Sequence, residues 1–226
     1  MKKLIDLATD PEQYSCGRAV TWIADDARQK KQQENFWNAI RPFIKPSCKS
    51  ALDIGCGSGW SARLFLKLGT DWIGLEPSSN HFKAAKRAHP EFNILNITFE
   101  ECDIDKRFDC IIAIMVFSHI KDVSGSFKKI YKLLNHGGIF IMMYSTFHND
   151  ESRLERNGRK YEIEIIDDNQ YVDRAIVGAY GIADINRRSE YYIDMAVSSG
   201  FSLIKHLKVE DVGYSPKELL VFVKSK

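Results

Sequence analysis

Three glycines at every second position, Gly55, Gly57 and Gly59, follow an apolar stretch that carries an acid, Leu52-Asp53-Ile54. A turn without Cβ atoms lets main-chain N–H groups touch a ligand and adopt conformations closed to other residues. That chemistry suits a nucleotide-like cofactor. A second apolar stretch, residues 72–75, ends at Glu76, followed by Pro77 and Ser78. A carboxylate at that point accepts both ribose hydroxyl hydrogens of an adenosine, or is a solvated loop acid.

Residues 60–68 carry apolar side chains at helical spacing and stop at Gly69, so the glycine turn joins a strand to a helix. Strand, glycine turn and helix form the unit that opens a Rossmann-like domain. The dinucleotide fingerprint Gly-x-Gly-x-x-Gly is not met, because the third glycine comes one residue early and Trp60 follows it. Asp53-x-Gly55-x-Gly57-x-Gly59 instead resembles motif I of the class I S-adenosylmethionine-dependent methyltransferases. In that family the loop wraps the methionine end of the cofactor, which implies Asp53, Gly55, Cys56, Gly57 and Gly59 as cofactor residues. Gly74 to Ser78 resembles the family's next motif, whose acid takes the ribose role, and implies Glu76, Pro77 and Ser78.

Phe92, Ile94 and Asn96 alternate as a third strand. Family residues just beyond it flank the adenine, often through an acid. Thr98 stands near that place here, so Thr98 and Phe99 are the adenine candidates, with Glu100, Glu101 and Asp103 close enough to substitute. Phe108 to Ile114 is a nearly continuous apolar run that suits a buried parallel strand and resembles the family's fourth. Its end, including Ile114 and Met115, should face the cofactor, because ligands lie beyond the carboxyl ends of such strands. Neither Asn-Pro-Pro-Tyr nor Asp-Pro-Pro-Tyr follows, which counts against the amino-methyltransferases of adenine, cytosine or glutamine amides. Val116-Phe117-Ser118-His119-Ile120 resembles a signature of small-molecule members. His119 could serve as a proton acceptor, or cap the next helix or pack against the cofactor loop. Leu133 to Phe140 resembles motif III.

These residues need helices at 29–41, 80–88, 127–134 and 189–199, and later strands at 139–144, 201–209 and 219–224. The expected fold is α/β, a Rossmann-like doubly wound and mostly parallel seven-stranded sheet with an antiparallel last strand. An N-terminal helical lid and a β-hairpin insertion after the fifth strand complete it. One methyltransferase domain spans the chain: a helical segment 1–46, cofactor core 47–146, substrate-side insertion 147–188, and final helix and hairpin 189–226. Tyr14, Trp22 and residues 24–27 could form the lid. Tyr161, Ile163 and Ile165 alternate with acids before the Asp167-Asp168-Asn169 turn, which predicts the inserted hairpin. In the family this segment covers the substrate, so the resemblance points to Tyr144, His148, Arg174, Tyr180 and Arg187 as substrate candidates. Aromatic residues could wall an apolar pocket and either arginine could hold a carboxylate or phosphate. A surface hairpin or dimer contact is the alternative.

At 226 residues and 44% hydrophobic, the chain can bury one substantial core. A net charge of +2 gives no broad basic field of the kind that draws proteins to nucleic acid. Five cysteines, Cys16, Cys48, Cys56, Cys102 and Cys110, form no C-x-x-C pair and read as free thiols, with no metal site expected. No stretch has the length and apolarity of a membrane span, and Asp6 and Asp10 spoil a signal peptide, which points to the cytoplasm. The resemblance thus implies S-adenosylmethionine as cofactor, S-adenosylhomocysteine as product, and methyl transfer to an oxygen, nitrogen or carbon of a small molecule by a monomer or homodimer. An RNA or protein methyltransferase and a catalytically silent binder of the cofactor are the alternatives.

Overall fold

Apolar runs covered on both faces become the strands of a central sheet, and Pro46, Gly69, Pro90 and Gly200 mark four of the points where a helix hands over to the next strand. The structure, a computed structural model, describes residues 3–11, 13, 27–148, 154–156, 159–176, 182–210 and 216–225. In chain order the elements are α1 (Leu4–Ala8), α2 (Ala27–Ile40), β1 (Ser50–Ile54), α3 (Ala62–Lys67), β2 (Asp71–Leu75), α4 (Ser79–Ala88), β3 (Ile94–Leu95) and β4 (Phe108–Ile114). They continue as α5 (Val123–Leu133), β5 (Leu134–Ser145), β6 (Glu155–Arg156), β7 (Arg159–Asp167), β8 (Gln170–Ala175), β9 (Ala183–Arg187), α6 (Ser189–Ser198), β10 (Phe201–Val209) and β11 (Lys217–Lys224).

Seven strands lie in the order β10-β11-β5-β4-β1-β2-β3, and only β11 runs against the rest. This is the mostly parallel α/β sheet expected from the sequence. Alternation within strands feeds two cores. Leu52 and Ile54 of β1 join Ile111 and Ala113 of β4 under Phe127 of α5 and Tyr192 of α6. Ala51, Cys110 and Ile112 face the other way, towards Phe36 and Ile40 of α2 and Phe65 of α3.

Several boundaries differ from expectation for identifiable reasons. The third strand is only two residues long, because Asn96 turns its side-chain amide onto the Glu76 and Pro77 carbonyls at 2.8 and 3.1 Å. Helix α5 begins at Val123, where the Asp122 carboxylate accepts the Gly125 N–H at 2.9 Å. The fifth strand begins at Leu134, opposite Phe108. Its register with β4 then jumps, pairing Ile139 with Cys110, so residues 135–138 bulge out with Gly137 at φ +68°.

The insertion is larger than the expected hairpin. Strands β6-β7-β8-β9 form a separate four-stranded antiparallel sheet. Its last strand went unread because Ala183 and Ile185 are too short an apolar alternation to stand out. Helix α1 caps this sheet, burying Leu4 and Ala8 against Val172, Ala183 and Ile185. Glu164 accepts the Leu4 N–H at 2.8 Å and so ties the helix start to β7. No described helix is long and apolar enough to cross a membrane.

Candidate functional site

A cavity of about 710 Å³ opens at the carboxyl edge of the parallel strands, a size usual for small-molecule sites. Residues 54–58, 75–77 and 114–116 form its floor, and residues 98–101 close one end. Thr9, Asp10, Pro11 and Gln13, which follow α1, roof it together with one face of α2. That face is Gln29, Gln32, Gln33 and Phe36, spaced as neighbours on a helix.

Glu76 organises the floor. Its Oε2 accepts the Gly57 N–H at 2.8 Å and its Oε1 the Ser78 N–H at 2.9 Å. Each oxygen keeps further lone-pair capacity towards the cavity. Burial holds this carboxyl above its ordinary value, while the nearby His81 ring and the Ser78 and Gly57 N–H groups pull it back. The loop itself is bonded to β2 by the Cys56 N–H on the Leu75 carbonyl, 2.9 Å.

The glycines have different reasons to be glycine. A Cβ on Gly55 would lie 2.5 Å from Val116 Cγ2, besides adopting φ +67°. At Gly57, with φ +56°, a Cβ would meet no protein atom within 4 Å, so the space beside it belongs to the cavity. Gly59 lies behind the loop against Phe92 and does not line the cavity.

Asp53 is also behind the loop. It accepts a hydrogen bond from Ser61, whose hydroxyl in turn accepts the Trp72 indole N–H at 3.1 Å. Burial, and after it the Glu76 charge, push this carboxyl up to about 7 against the pull of Ser61. Asp53 therefore fixes the start of α3 from below. Ser78 serves the loop as well, since its hydroxyl caps α4 at the His81 N–H.

Cys56, Pro77, Thr98, Phe99, Ile114 and Met115 all line the cavity. Thr98 donates to Glu101 at 2.7 Å and accepts its N–H at 3.2 Å, while the Lys129 ammonium lies 4.9 Å over the Phe99 ring and bonds its carbonyl. Met115 is the only described non-glycine residue with positive φ, +62°, and its N–H is held by the Met143 carbonyl at 2.8 Å. Such strain concentrates at ligand sites. Nothing in a methionine signals it from the sequence.

His119 lines the cavity with both ring nitrogens engaged. Nδ1 lies 3.0 Å from the Ala8 carbonyl and 3.4 Å from Gln13 Nε2, and Nε2 lies 3.4 Å from Asp184 Oδ1. Gln13 also bonds the Ala8 carbonyl and accepts the Ala183 N–H at 2.9 Å. His119 is thus the joint at which the strand tip, the N-terminal segment and β9 meet.

The substrate candidates outside the cavity are held elsewhere. Arg187 is 2% exposed and donates to the Phe117 carbonyl at 2.8 Å, the Ile120 carbonyl at 2.9 Å and Gln170 at 2.9 Å. Its guanidinium staples β9 to the turn after β4 and is not presented to a ligand. Arg174 pairs with Glu162 at 2.6 Å on the outer part of the small sheet. Tyr144 packs on Tyr192 with ring centroids 4.6 Å apart, and burial drives its phenol well above its ordinary value. The His148 N–H meets the Tyr171 hydroxyl at 3.4 Å. Tyr180, Tyr14 and Trp22 lie outside the described residues. The sequence reading expected an N-terminal lid but named Tyr14, Trp22 and residues 24–27 for it; among the described residues the roof comes instead from Thr9, Asp10, Pro11 and Gln13 and from the α2 glutamines, whose spacings of three and four were visible while the core assignment went to Phe36, beside them.

Residues 27–173 match a family model described as a methyltransferase domain. A ubiquinone biosynthesis O-methyltransferase of Rhodopseudomonas palustris is 31% identical over 119 residues, 51% of this chain and 44% of the relative. The chain thus spans under half the length of that protein. Among solved structures, the PH0226 protein of Pyrococcus horikoshii OT3 superposes with a TM-score of 0.75 at 17% identity, over 95% of this chain and 99% of that one. The glycopeptide N-methyltransferase MtfA in complex with S-adenosylhomocysteine gives 0.65 at 16%, over 85% and 89%. At these identities the two structures show likeness of fold.

Proposed function

The chain belongs to the methyltransferase domain family, and from that premise we propose that it transfers a methyl group from S-adenosylmethionine to a small molecule. The observation that carries the reading is the paired Gly57 and Glu76 at the cavity floor. The unfilled space at the missing Gly57 Cβ and the inward carboxylate fit the adenosyl compound: an acid for two ribose hydroxyls, a main-chain cradle for the rest. When bound, the cofactor would supply an electrophilic methyl group for in-line transfer to the acceptor, with the electron pair of the broken S–CH3 bond left on the sulfur of S-adenosylhomocysteine.

The protein's own residues then have three tasks. Residues 55–58 and Glu76 hold the cofactor, with Thr98 and Phe99 beside the adenine. The tip of β4, with Ile114 and Met115, supplies the wall against which donor and acceptor align. The roof excludes water and holds the acceptor close enough for in-line attack, which lowers the barrier by removing the entropy cost of bringing donor and acceptor together. His119 serves as the joint of that roof; its engagement with Ala8, Gln13 and Asp184 supports a positioning part over that of a base. The ubiquinone-pathway relative transfers to oxygen, which favours an oxygen acceptor here.

Calorimetric titration with S-adenosylmethionine, S-adenosylhomocysteine and NAD in parallel tests the reading. Micromolar binding of both adenosyl compounds without NAD is expected. Failure of both to bind would end it.

A further inference from the structure

We infer that Trp60 holds the sulfonium of S-adenosylmethionine against the face of its indole, and so binds the cationic methyl donor in preference to the neutral product, S-adenosylhomocysteine. This deepens the methyltransferase reading and rests on it.

Trp60 directly follows the third glycine of the loop and lines the cavity. It is half-buried and packs on the core that contains Phe36 of α2 and Cys56 of the loop. Helix α2 meets α3 where Trp37 and Phe65 pack edge to face, ring centroids 5.6 Å apart, so Trp60, just ahead of α3, stands beside the roof. Among the described residues, no ring stacks on Trp60, no cation lies over it and its indole N–H has no hydrogen-bond partner. Trp72, by contrast, is committed: its N–H donates to Ser61 at 3.1 Å and its ring meets that of Phe92, centroids 6.1 Å apart. Of the other phenyl rings at the cavity, Phe36 is 5% exposed and Phe99 already carries the Lys129 ammonium 4.9 Å over its ring. Trp60 is thus the large aromatic surface left open to a ligand.

The methyl donor brings a positive charge that this cavity has to meet. Much of the lining is apolar, with Ile54, Ile114, Met115, Val116 and Ile120 beside the aromatic residues. Taking a cation out of water into such surroundings is costly unless a partner is in place. The acids are occupied: Glu76 bonds Gly57 and Ser78 and takes the ribose, Glu101 accepts from Thr98 at the adenine end, and Asp10 has contacts of its own in the roof. An indole face attracts a cation that lies within about 6 Å of it, more strongly than the other aromatic side chains do. The reach is sufficient. Glu76 fixes the ribose beside Gly57, the sulfur is attached to the ribose through one carbon, and Trp60 comes three residues after Gly57, about 11 Å of chain at full stretch. The two adenosyl compounds differ by one methyl and one positive charge, so their relative affinity reads this contact.

Calorimetric titration of the whole protein, of Trp60→Leu and of Trp60→Phe with S-adenosylmethionine and S-adenosylhomocysteine separately is the test, with the unfolding temperature of each variant measured alongside. Leucine keeps an apolar contact and removes the ring. Its affinity for S-adenosylmethionine should fall roughly five- to thirtyfold, while that for S-adenosylhomocysteine changes by less than about twofold. Trp60→Phe should restore part of the loss, because the smaller ring still attracts the cation. Equal losses for the two ligands in a folded Trp60→Leu would place the indole against a part of the cofactor that both share, and unchanged affinities would remove it from the cofactor altogether. Either result overturns the inference and leaves the methyltransferase reading intact. Should Trp60→Leu fail to fold, Trp60→Phe decides alone: its preference for the donor over the product should drop at least about twofold, and an unchanged preference overturns the inference. A parent protein that binds neither compound would instead remove the methyltransferase reading, and this inference with it.

Discussion

Glu76 bonds the glycine loop and faces the ligand, and substitution separates those loads. Glu76→Ala removes a charged acceptor from two hydroxyls and frees the Gly57 N–H, so affinity for S-adenosylmethionine should fall at least about 100-fold. Calorimetry reads this directly, and parent-like affinity would mean that the ribose is bound elsewhere. Gly57→Ala tests the cradle: the added methyl meets no protein atom, so stability should drop only by the left-handed backbone cost, about 1–2 kcal/mol, while cofactor affinity collapses. Asp53 gives a pH signature. Its folded value of about 7 lies above the ordinary 3.8, so between those values the folded state holds a proton that the unfolded state has released. Stability must therefore fall as pH rises through that window, by roughly 4 kcal/mol at most, and stay low above it. Asp53→Asn should flatten that slope in urea unfolding from pH 4 to 8; an unchanged slope would assign it to other groups. The sequence displayed Glu76 and the glycines because their chemistry depends on residue type and spacing. It hid Met115, whose role lies in a backbone angle that methionine rarely adopts.

At the scale of elements, most strands and helices of the large sheet were legible because they repeat a period over several turns or residues; the two-residue β3 is the exception. The small sheet was not, since β9 offers two apolar side chains and its stability comes from α1, more than 170 residues earlier in the chain. Arg187 shows the consequence. As a residue type in a substrate-side insertion it invites an anion, yet its N–H groups go to two main-chain carbonyls of the turn after β4 and to Gln170. Arg187→Met should leave those carbonyls buried without a donor and cost about 3 kcal/mol, read as a lowered unfolding temperature. Arg174→Met breaks only a half-exposed pair with Glu162 and should cost under about 1 kcal/mol. Equal losses for the two would show that Arg187 is not the staple.

Across the whole molecule, the cavity is closed by parts that the large sheet does not itself supply. The floor follows from strand order, which places every functional tip at one edge. The roof depends on α1 docking on the inserted sheet, so that residues 9–13 reach His119 and β9. Deleting residues 1–13 should therefore act at a distance from the sheet core. Val172, Ala183 and Ile185 lose their cover, and amide exchange in β8 and β9 should quicken by an order of magnitude or more. Exchange in β1 and β4 should stay slow, because both of their faces are buried by helices that the deletion leaves in place. Affinity for S-adenosylmethionine should weaken mainly through faster dissociation, since the floor remains and only the cover is gone. If exchange in β8 and β9 did not change, the inserted sheet would be stable without α1, and the roof would have to be regarded as two flaps that meet at His119 and at the Gln13–Ala183 bond but fold independently.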